Sequence, residues 1–498
     1  MKLSDILKGI DMQKVSGDMN CEISGLAYDS RSVSKGTLFV AIKGLKTDGH
    51  LYIKSALEQD AAAILAEHEP AGITIPAGVS IIITSDTRKA VAIAAVNYFG
   101  NPSRELSVIG ITGTNGKTTI SYLIRSILEK AGNKVGILGT IFWSDGDKIS
   151  EAEHTTPEAV DFQHLLRKMA GNGCTFAVTE VSSHSLALNR VYGTDFSTAV
   201  FTNLTQDHLD FHTDMEDYFK AKSMLFSGMS LQHTSVINSD DPYGRRLLEM
   251  SRCSNYSYGL DSSADIRGEN VSLTINGIEF DLITPAGHIH IKSNLVGIHN
   301  VYNILAAAGA AFSNNIPLEK IASGISSVTS VPGRFDRIDS GLGFSIVVDY
   351  AHTENALRLL LEAARQFSPK RIITVFGCGG DRDRGKRPLM GSTAVELSDY
   401  VIVTSDNPRS EDPEEIIREV VSGINAAINK GEARTSGYVT IPDRRSAIEE
   451  GIRRAEKGDI VLIAGKGHED YQIIGRERLH FDDREEAKRA ANARMESV

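Results

Sequence analysis

The run Gly113-Thr-Asn-Gly116-Lys117-Thr118-Thr119 decides the fold of this chain, because its flanks are those of a phosphate-binding loop. A short apolar strand is predicted at 106–111, and a helix with apolar residues at i, i+3 and i+4 spacing follows the run. Glycines allow backbone N–H groups to curl around an anion, and the helix N-terminus adds a partial positive charge. Lys117 is placed to reach the outer phosphates of a nucleotide, and Thr118 to ligate Mg²⁺.

The spacing of this run departs from the common GxxxxGK[ST] pattern. Ile111 stands where the first glycine would be, so we interpret the run as a shortened variant of the loop. A glycine-rich turn that only caps a helix is the alternative, but the strand before it and the helix after it favour nucleotide binding. We predict an ATP site, and its loop residues are Gly113, Thr114, Asn115, Gly116, Lys117, Thr118 and Thr119.

Composition places the chain among ordinary globular proteins. Its 498 residues are enough for two to four domains, and 41% of them are hydrophobic and 23% charged. A net charge of −11 argues against a nucleic-acid-binding protein, which needs a basic surface. Anionic ligands must therefore be held by local clusters of cations, such as Arg382, Arg384, Lys386 and Arg387.

The cysteines and the apolar runs indicate the compartment. Four cysteines lie far apart and form no CxxC pair, which is typical of reduced thiols in the cytosol. The first residues, Met1-Lys-Leu-Ser-Asp-Ile, lack the apolar centre of a signal peptide, and no apolar run reaches the roughly 18 residues that cross a bilayer. We therefore expect a cytoplasmic monomer that binds neither membrane nor nucleic acid.

Patterns along the chain predict an α/β protein of three domains. Residues 1–102 form a smaller N-terminal α/β domain that ends at the turn signal Asn101-Pro102-Ser103. Residues 103–333 form a central P-loop ATPase domain with a mostly parallel sheet, because apolar strands alternate with helical patterns. Residues 334–498 form a Rossmann-like doubly wound domain. Strands are predicted at 37–42, 80–84, 176–180, 345–348, 372–376, 400–403 and 460–464.

Acidic and imidazole side chains follow predicted strands of the central domain. Glu180 ends the strand at 176–180, the position where P-loop enzymes keep the acid that holds Mg²⁺. The polar segment 203–212 contains His208 and follows the next strand, so it can coordinate a metal or orient a phosphate. A polar loop without any ligand would look the same. Further along, alternating apolar and polar residues at 265–292 predict antiparallel strands that extend the sheet.

Four more positions of this region stay open from residue type alone. Lys222 lies in a helix predicted at 215–226 and has the character of an ordinary solvated lysine. Asn300 and Asn303 share one face of an alanine-rich helix, although asparagine there is equally compatible with capping. Arg334 lies in a turn between two domains, well placed to reach a nucleotide across a cleft.

Four polar, glycine-rich loops directly follow strands of the last domain. Since all strand C-termini of an open parallel sheet face one edge, and ligands bind at that edge, these loops should converge on one crevice. Unrelated polar loops would have no need to place glycine beside arginine or aspartate each time. The loops are Asp349-Tyr-Ala-His352, Gly377-Cys-Gly-Gly-Asp-Arg382, Asp406-Asn-Pro-Arg409 and Gly465-Lys-Gly-His-Glu469.

Taken together, these residues resemble the Mur ligases of peptidoglycan assembly. The likeness spans essentially the whole chain, including Asp29-Ser30-Arg31 in the N-terminal block, and within the family it is closest to members that add 2,6-diaminopimelate. The motifs that carry the resemblance are the phosphate loop at 113–119, Glu180-Val-Ser-Ser-His184, His299-Asn300 with Asn303, Asp349-Tyr-Ala-His352 and Asp406-Asn-Pro-Arg409.

The resemblance implies a role for each domain. The N-terminal domain would bind UDP, the central domain ATP and two Mg²⁺ ions, and the C-terminal domain the incoming amino acid. It also implies that Lys222 is carbamylated to N6-carboxylysine. That modification turns a cation into a carboxylate, which would help Glu180 and His208 to hold the second Mg²⁺, whereas Thr118 serves the first.

The resemblance assigns the remaining site residues as well. Asn300, Arg334 and Asp349 would bind the nucleotide together with the phosphate loop, and Lys117, Glu180, His208 and Lys222 would be catalytic. UDP-N-acetylmuramoyl-L-Ala-D-Glu would contact Ser30, Thr155, Thr156, Ser182 and Arg190. meso-2,6-Diaminopimelate would contact Arg382, Asp406, Asn407, Pro408, Arg409, Gly465 and Glu469.

The implied reaction is an ATP-dependent amide ligation through an acyl phosphate. The nearest rivals are the same ligation with L-lysine and the reaction of folylpolyglutamate synthase. The sequence at 406–409 favours diaminopimelate over lysine, and the UDP-binding block disfavours folate. A rival from another class is a P-loop regulatory or transport ATPase, which would need no second crevice of strand-end loops.

Three positions depart from the family pattern. Glu354 stands where proline is usual, and Leu188 replaces a polar residue often found near the substrate. Leu45-Lys46-Thr47 is an uncommon version of the loop expected to contact uridine. These departures bear on individual substrate contacts and not on the reaction.

Overall fold

The computed structural model describes residues 1–44, 47–274 and 277–496. Leu45 and Lys46, two of the three residues of the uncommon uridine loop, lie outside the described residues. The predicted α/β architecture is confirmed, with three separate sheets in the N-terminal, central and C-terminal parts of the chain and a small hairpin near its end. No helix within the described residues combines the length and apolar character that crossing a membrane requires.

The N-terminal sheet has five strands in the order β1-β5-β4-β3-β2. Only β1 runs antiparallel to its neighbour, and apolar residues such as Leu38 and Ile82 make the inner strands fully buried. The strand predicted at 37–42 ends two residues earlier, at Val40. The elements are α1 (Leu3–Ile6), β1 (Met12–Ser16), β2 (Gly25–Ala27), β3 (Thr37–Val40), α2 (Ile53–Glu58), β4 (Ala63–Ala66), β5 (Ser80–Thr84) and α3 (Thr87–Tyr98).

The central sheet has eleven strands in the order β16-β15-β14-β13-β12-β11-β6-β10-β7-β8-β9. The strands from β14 to β7 in this order are parallel, and β15 and β16 extend the sheet antiparallel, as the alternation at 265–292 predicted. The strands are β6 (Ser107–Thr112), β7 (Val135–Leu138), β8 (Phe142–Ser144), β9 (Ile149–Glu151), β10 (Phe176–Glu180), β11 (Phe196–Phe201), β12 (Thr234–Asn238), β13 (Ser254–Gly259), β14 (Ile266–Thr274), β15 (Gly277–Thr284) and β16 (Gly287–Ser293).

Helices cover both faces of this sheet and position the phosphate loop. The buried stripe of α4 consists of the apolar residues that the sequence predicted for it, and it packs against α9 and α10. Burial of each such side chain contributes about 1.5–3 kcal/mol, so the helix N-terminus is fixed behind the loop. The helices are α4 (Lys117–Lys130), α5 (Ala159–Gly171), α6 (Ser183–Ala187), α7 (Met215–Ser227), α8 (Pro242–Met250), α9 (Ile298–Ser313) and α10 (Leu318–Ser327).

The C-terminal sheet has the order β17-β18-β22-β19-β20-β21, and every strand except β17 is parallel to its neighbours. Separate apolar cores lie on its two faces, which confirms the doubly wound prediction. Its elements are β17 (Asp336–Asp339), β18 (Ser345–Asp349), α11 (Glu354–Arg365), β19 (Ile372–Phe376), α12 (Lys386–Leu397), β20 (Tyr400–Val403), α13 (Pro413–Lys430), β21 (Tyr438–Thr440), α14 (Arg444–Arg454), β22 (Ile460–Ala464), β23 (Tyr471–Ile474), β24 (Glu477–His480) and α15 (Asp483–Glu496).

Candidate active site between the central and C-terminal domains

The phosphate loop connects β6 to α4 through two glycines that no other residue can replace without strain. Gly113 has φ +144° and Gly116 has φ +91°, conformations that L side chains rarely adopt. A Cβ atom on Gly113 would lie 1.8 Å from Thr202 Oγ1, and one on Gly116 would lie 2.4 Å from Asn303 Oδ1. The backbone of 113–119 therefore has the tight turn that the sequence predicted, closed against neighbouring polar side chains.

Lys117 folds back over this loop. Its Nζ donates to the carbonyl oxygens of Gly113 and Thr114, both at 2.9 Å. Burial lowers the pKa of the Lys117 amine from its ordinary value. No carboxylate in the described part of the chain lies within ion-pair distance of it, so this cation is held by weak carbonyl acceptors at the mouth of a phosphate-binding loop.

Glu180 ends β10 beside the loop, where the sequence placed the Mg²⁺ acid. Its Oε2 accepts hydrogen bonds from Thr118 Oγ1 at 3.0 Å and from Thr140 Oγ1 at 2.9 Å, and its Oε1 accepts from the Thr140 N–H. Thr140 was missed in the sequence. Its position could have identified it, because Thr140 follows the parallel strand β7 and residues after parallel strands lie at the ligand-binding edge of a sheet.

Lys222 is not the solvated lysine that its residue type indicated. Its side chain is buried, and its Nζ donates to the Gly113 carbonyl oxygen at 2.8 Å and lies 4.6 Å from the centre of the Tyr218 ring. Burial, together with the neighbouring Lys117 ammonium, holds the pKa of the Lys222 amine well below its usual range. The helix predicted at 215–226 is confirmed as α7, and it turns this lysine inward.

Asp207 and His208 lie where two domains meet. Asp207 is buried, and its oxygens lie 3.5 Å from Lys386 Nζ and 3.7 Å from His352 Nε2, two groups of the C-terminal domain. Although burial opposes ionisation, Lys386 and His208 hold the pKa of Asp207 well below its ordinary value. His208 has φ +57°, and burial lowers its pKa to about 3, so its imidazole is neutral, the form that ligates metals.

A cleft of about 440 Å³ opens between these two domains and contains most of the predicted nucleotide residues. Its lining includes Thr114, Asn115, Gly116, Lys117, Thr118, Thr119, Thr155, Glu180, Ser182, His208, Asn300, Arg334 and Asp349. Gly113, Lys222 and the loop at 406–409 lie outside this lining. Asn355 of α11, which the sequence reasoning missed, accepts a hydrogen bond from Asn115 Nδ2 at 3.3 Å and closes the cleft from the C-terminal side.

Arg334 reaches across the boundary as predicted. Its Nη2 donates to Thr118 Oγ1 at 3.4 Å, and its guanidinium lies 4.4 Å from the centre of the Tyr350 ring. Asp349 accepts from the Phe335 and Ala351 N–H groups, and burial raises the pKa of its carboxyl. These contacts fix the turn that carries the arginine.

The two asparagines of α9 do not cap the helix. Asn303 Nδ2 donates to Asn300 Oδ1 at 2.8 Å, and Asn300 Nδ2 donates to the Val296 carbonyl oxygen at 2.7 Å. The helix begins after Gly297, with no side-chain cap. The two side chains therefore share one face of the helix, as predicted, and neither caps it.

The four strand-end loops of the C-terminal domain converge, as the parallel sheet requires. Asn407 Nδ2 donates to Glu469 Oε2 at 2.8 Å, and a Cβ atom on Gly465 would lie 2.5 Å from Asp406 Oδ2. Pro408 and Gly380 are also in close contact, because a Cβ atom on Gly380 would lie 1.9 Å from the Pro408 carbonyl oxygen. Burial and the nearby Asp406 raise the pKa of Glu469.

Arg409 is held at this convergence by backbone contacts. It has φ +53°, its N–H donates to the Ile473 carbonyl oxygen at 3.1 Å, and its own carbonyl oxygen accepts from the Gly475 N–H. Its Nη1 donates to the Gly380 carbonyl oxygen at 2.7 Å. The hairpin β23–β24 therefore positions the arginine, whose guanidinium has no carboxylate within ion-pair distance among the residues that the structure describes.

Three of the four cations in the cluster predicted to hold anionic ligands are already paired with carboxylates. Arg387 is fully buried and pairs with Glu411 and Glu419, and Arg384 pairs with the same two carboxylates. Lys386 pairs with Asp207. Only Arg382 is left exposed without an ion pair in the described part of the cluster, donating to the Asp381 carbonyl oxygen at 3.0 Å.

Four of the five residues expected to contact the UDP-linked substrate lie together beside Glu180. Thr155 Oγ1 lies 3.1 Å from Thr140 Oγ1, and Thr156 Oγ1 donates to the Glu180 carbonyl oxygen. The Ser182 N–H donates to Thr156 Oγ1, and Arg190 Nη1 donates to the Thr156 carbonyl oxygen at 3.1 Å. Ser30 is buried in the N-terminal domain, apart from the cleft.

The donor set beside the phosphate loop fits Mg²⁺. Within 1–44, 47–274 and 277–496, no group of three or more His, Cys, Asp or Glu side chains is arranged to hold a metal. Mg²⁺ rarely uses such cages in proteins, and instead takes one or two carboxylates, waters and substrate phosphate oxygens. The Glu180 carboxylate next to the Thr118 hydroxyl, at the mouth of a phosphate loop, provides that kind of partial ligand set.

Comparisons with known proteins agree with this architecture. Three family models match the chain: "Mur ligase family, catalytic domain" at 22–104, "Mur ligase middle domain" at 111–311 and "Mur ligase, glutamate ligase domain" at 333–467. The chain is 44% identical to UDP-N-acetylmuramoyl-L-alanyl-D-glutamate–2,6-diaminopimelate ligase 1 of Clostridium acetobutylicum, over 97% of this chain and 98% of that protein. It is 45% identical to the ligase of the same name from Clostridioides difficile, over 98% and 99%.

A solved structure of a UDP-N-acetylmuramoyl-L-alanyl-D-glutamate–2,6-diaminopimelate ligase has the same fold over the whole length. It superposes with a TM-score of 0.68 at 33% identity and covers 99% of both chains. Together with the family models and the relatives above 40% identity, this similarity extends over all three domains. The chain belongs to the Mur ligase family.

Proposed function

We propose that this protein is the ATP-dependent ligase that adds meso-2,6-diaminopimelate to the D-Glu residue of UDP-N-acetylmuramoyl-L-Ala-D-Glu during synthesis of the peptidoglycan precursor. The names of relatives that match almost the full chain support this choice. The observation that carries it is the junction at Asp207. This residue of the ATPase domain contacts Lys386 and His352 of the C-terminal domain, which supports a reaction between groups that the two domains hold.

In the first step, an oxygen of the D-Glu side-chain carboxylate attacks the γ-phosphorus of ATP, and ADP leaves. Lys117 and the amides of the loop at 113–119 are placed to offset the charge on the transferred phosphoryl group. Each such donor typically contributes about 10²- to 10³-fold to the rate. Mg²⁺, held by Thr118 and Glu180, would neutralise phosphate charge, and a second ion would take Glu180, His208 and the Lys222 carbamate as ligands.

In the second step, an amine of diaminopimelate attacks the acyl carbon, losing a proton as the amide bond forms and inorganic phosphate leaves. The chain contributes position here, because the amino acid is held by loops of one domain and the acyl phosphate by the other. Thr155, Thr156, Ser182 and Arg190 would hold the acyl-bearing peptide beside Glu180.

The environment of Lys222 supports its carbamylation. A buried lysine without a carboxylate partner in the described residues, next to a second lysine, is electrostatically costly as a cation. An amine whose pKa is lowered is also present in the neutral form that adds CO₂. The carbamate would reverse the charge at this position and supply oxygen ligands for Mg²⁺.

Selectivity for the amino acid would come from the loop at 406–409. Diaminopimelate differs from lysine by one additional carboxylate, and Arg409 presents a planar guanidinium for that group. Glu469 and Asp406 would accept from its ammonium, with Asn407, Pro408 and Gly465 shaping the loop. Arg382, which is exposed and without an ion pair in the described structure, would be a further carboxylate contact.

The test compares two amino acids in one assay. Purified protein, ATP, Mg²⁺ and UDP-N-acetylmuramoyl-L-Ala-D-Glu are mixed with meso-diaminopimelate or with L-lysine, and phosphate release is measured. We expect release that depends on diaminopimelate and is at least about tenfold faster than with lysine, the ratio that one charge-assisted hydrogen bond supplies. Faster release with lysine, release with folate and glutamate, or ATP hydrolysis independent of any amino acid would each reject the proposal.

A further inference from the structure

A line of contacts runs from Glu180 into the N-terminal domain. Thr156 donates to the Glu180 carbonyl oxygen at 2.8 Å, and Arg190 Nη1 donates to the Thr156 carbonyl oxygen at 3.1 Å. Arg190 Nη2 lies 2.7 Å from Glu158 Oε1. The other oxygen of Glu158 lies 4.0 Å from Nη1 of Arg88, a residue of α3 in the N-terminal domain. Glu158 therefore joins an arginine of one domain to an arginine of the next.

Arg88 is held at this junction and still faces solvent in part. Its side chain is 18% exposed, and its Nε donates to the Lys43 carbonyl oxygen at 3.3 Å. Lys43 is two positions before Leu45, the first residue of the loop that the family resemblance places next to uridine. Arg88 is the second residue of α3, whose first turn is fixed by the Asp86 side chain, so the helix N-terminus adds partial positive charge at the same place.

Two guanidiniums share one carboxylate at this junction. Glu158 is the carboxylate nearest to both guanidiniums, and no other carboxylate in the described residues lies within ion-pair distance of either. The three side chains are each about one-fifth exposed, with values of 18% for Arg88, 17% for Arg190 and 21% for Glu158. One carboxylate thus pairs with both partly buried guanidiniums, while Asp86 and Glu67 attract Arg88 from farther away and Arg190 repels it.

The order of these residues matches the order of groups in the proposed substrate. The reacting carboxylate belongs beside Glu180 and Lys117, and the uridine belongs in the N-terminal domain near Ser30. The group that connects the sugar–peptide part to uridine is a diphosphate, and a guanidinium binds phosphate through two parallel hydrogen bonds. We propose that Arg88 binds the diphosphate of the UDP-linked substrate, an inference that rests on the proposed function.

The experiment measures steady-state kinetics of the full-length protein with Arg88→Ala and Arg88→Lys. We expect Arg88→Ala to raise the KM for UDP-N-acetylmuramoyl-L-Ala-D-Glu by roughly 10- to 100-fold, while the KM values for ATP and diaminopimelate change less than about twofold. Arg88→Lys keeps the charge and loses the planar fork, so we expect an intermediate KM. Circular dichroism and the ATP KM establish that each variant is folded.

A competition assay separates diphosphate binding from a structural role at the domain boundary. UDP and uridine are compared as inhibitors. We expect Arg88→Ala to raise the inhibition constant of UDP by the same factor as the substrate KM, and to leave the inhibition constant of uridine unchanged. The matched control is Arg167→Ala, because Arg167 of the central domain also contacts the N-terminal domain, through the Phe99 carbonyl oxygen, while it pairs with Glu105 of its own domain. We expect that variant to lose thermal stability and to keep both inhibition constants.

The outcomes distinguish this inference from the proposed function. If wild-type protein shows no turnover of the UDP-linked substrate with diaminopimelate, the proposed function fails. If wild-type protein turns over but Arg88→Ala keeps the substrate KM and the ratio of UDP to uridine inhibition, the role of Arg88 is rejected alone. A rise in all three KM values by the same factor would show that Arg88 only stabilises the contact between the domains. That result would also reject diphosphate binding by Arg88.

Discussion

The two strand-end sites of this protein treat their cations in opposite ways. In the central domain, Lys117 and Lys222 donate to carbonyl oxygens of the phosphate loop and have no carboxylate within ion-pair distance in the described structure. In the C-terminal domain, Arg387 pairs with Glu411 and Glu419 although its own side chain is fully buried. The central site thus leaves two lysines uncompensated, whereas the C-terminal site places Arg382 and Arg409 beside a scaffold in which Arg384 and Arg387 are already neutralised.

This difference matches the ligands that the two sites are proposed to take. A nucleoside triphosphate carries several negative charges, so a site with unpaired cations gains most from binding it. Diaminopimelate carries two ammonium and two carboxylate groups and is nearly neutral overall. A site for it needs a fixed pattern of alternating charges, such as Asp406, Arg409 and Glu469, on a scaffold whose other charges already cancel.

The largest effect is expected when Lys222, an uncompensated lysine of the central site, is removed. We expect Lys222→Ala to lower the rate of amide formation by roughly 10³-fold or more, because the proposed carbamate would no longer help to bind Mg²⁺ and offset phosphoryl charge. Short carboxylic acids such as acetate should restore part of the rate. The measurement is product formation by chromatography, with and without added acid.

The matched control for Lys222 is Lys220→Ala on the same helix. Lys220 is exposed to solvent, so its removal should leave the rate within about twofold of wild type. Full activity of Lys222→Ala without added acid would contradict the carbamate role. Mass spectrometry of the intact wild-type protein in bicarbonate gives an independent check for the added CO₂.

Internal neutralisation of the C-terminal site predicts an effect on stability. Hydrogen bonds from Arg387 lower the pKa of Glu411 from its ordinary value of 4.5 to about 2, so the ionised carboxylate stabilises the folded state. That contribution is complete above pH 4.5 and is lost as the pH falls through about 2. We expect Glu411→Gln to lower the free energy of unfolding by about 3 kcal/mol at pH 7, measured by urea denaturation.

The pH dependence provides the sharper readout for Glu411. Below about pH 4.5 the wild-type protein should lose stability faster than Glu411→Gln, so the difference between them should shrink toward pH 2. Glu415→Gln is the matched control, because Glu415 pairs only with the exposed Arg418 and should change stability by less than about 1 kcal/mol. A difference that is constant from pH 7 to pH 3 would exclude Glu411 as the stabilising carboxylate.

Much of the fold could be predicted from the sequence because its strands are buried on both faces. The strands at 80–84, 176–180, 372–376, 400–403 and 460–464 have the predicted bounds, since each is a mostly apolar run next to polar or glycine residues. The convergence of the four loops followed from the same parallel sheet.

The pairing of charged side chains could not be predicted from the sequence in the same way. Lys222 is buried because its Nζ meets the Gly113 carbonyl oxygen, 109 positions away in the chain, and its own helix gives no sign of that contact. Arg387 belongs to a run of basic residues that suggested an anion site, yet its partners lie on and before α13. Local composition counts charges and does not reveal which of them are already neutralised.

One family departure has a local explanation. Glu354 occupies the first position of α11, where proline is common in helices because its N–H is not needed. A carboxylate is also favourable there through the helix dipole, and Glu354 Oε1 accepts from Arg358 and Thr393. Glu354 therefore keeps the helix start and adds a link to α12.

The smallest effect concerns selectivity at the C-terminal site. We expect Arg409→Ala to raise the KM for diaminopimelate by roughly 10- to 150-fold, because a charge-assisted hydrogen bond contributes about 1.5–3 kcal/mol, while the KM for ATP stays nearly constant. The KM for lysine, which lacks the second carboxylate, should change little. The preference for diaminopimelate over lysine should therefore fall by a similar factor. Steady-state assays with both amino acids measure this ratio.

The control for Arg409 must remove a guanidinium from the same domain without touching the crevice. Arg418→Ala does so, since Arg418 is exposed on α13 and pairs only with Glu415. It should leave both KM values unchanged. If Arg409→Ala weakened lysine and diaminopimelate equally, the arginine would act on the common part of the two amino acids. The assignment of its guanidinium to the second carboxylate of diaminopimelate would then be rejected.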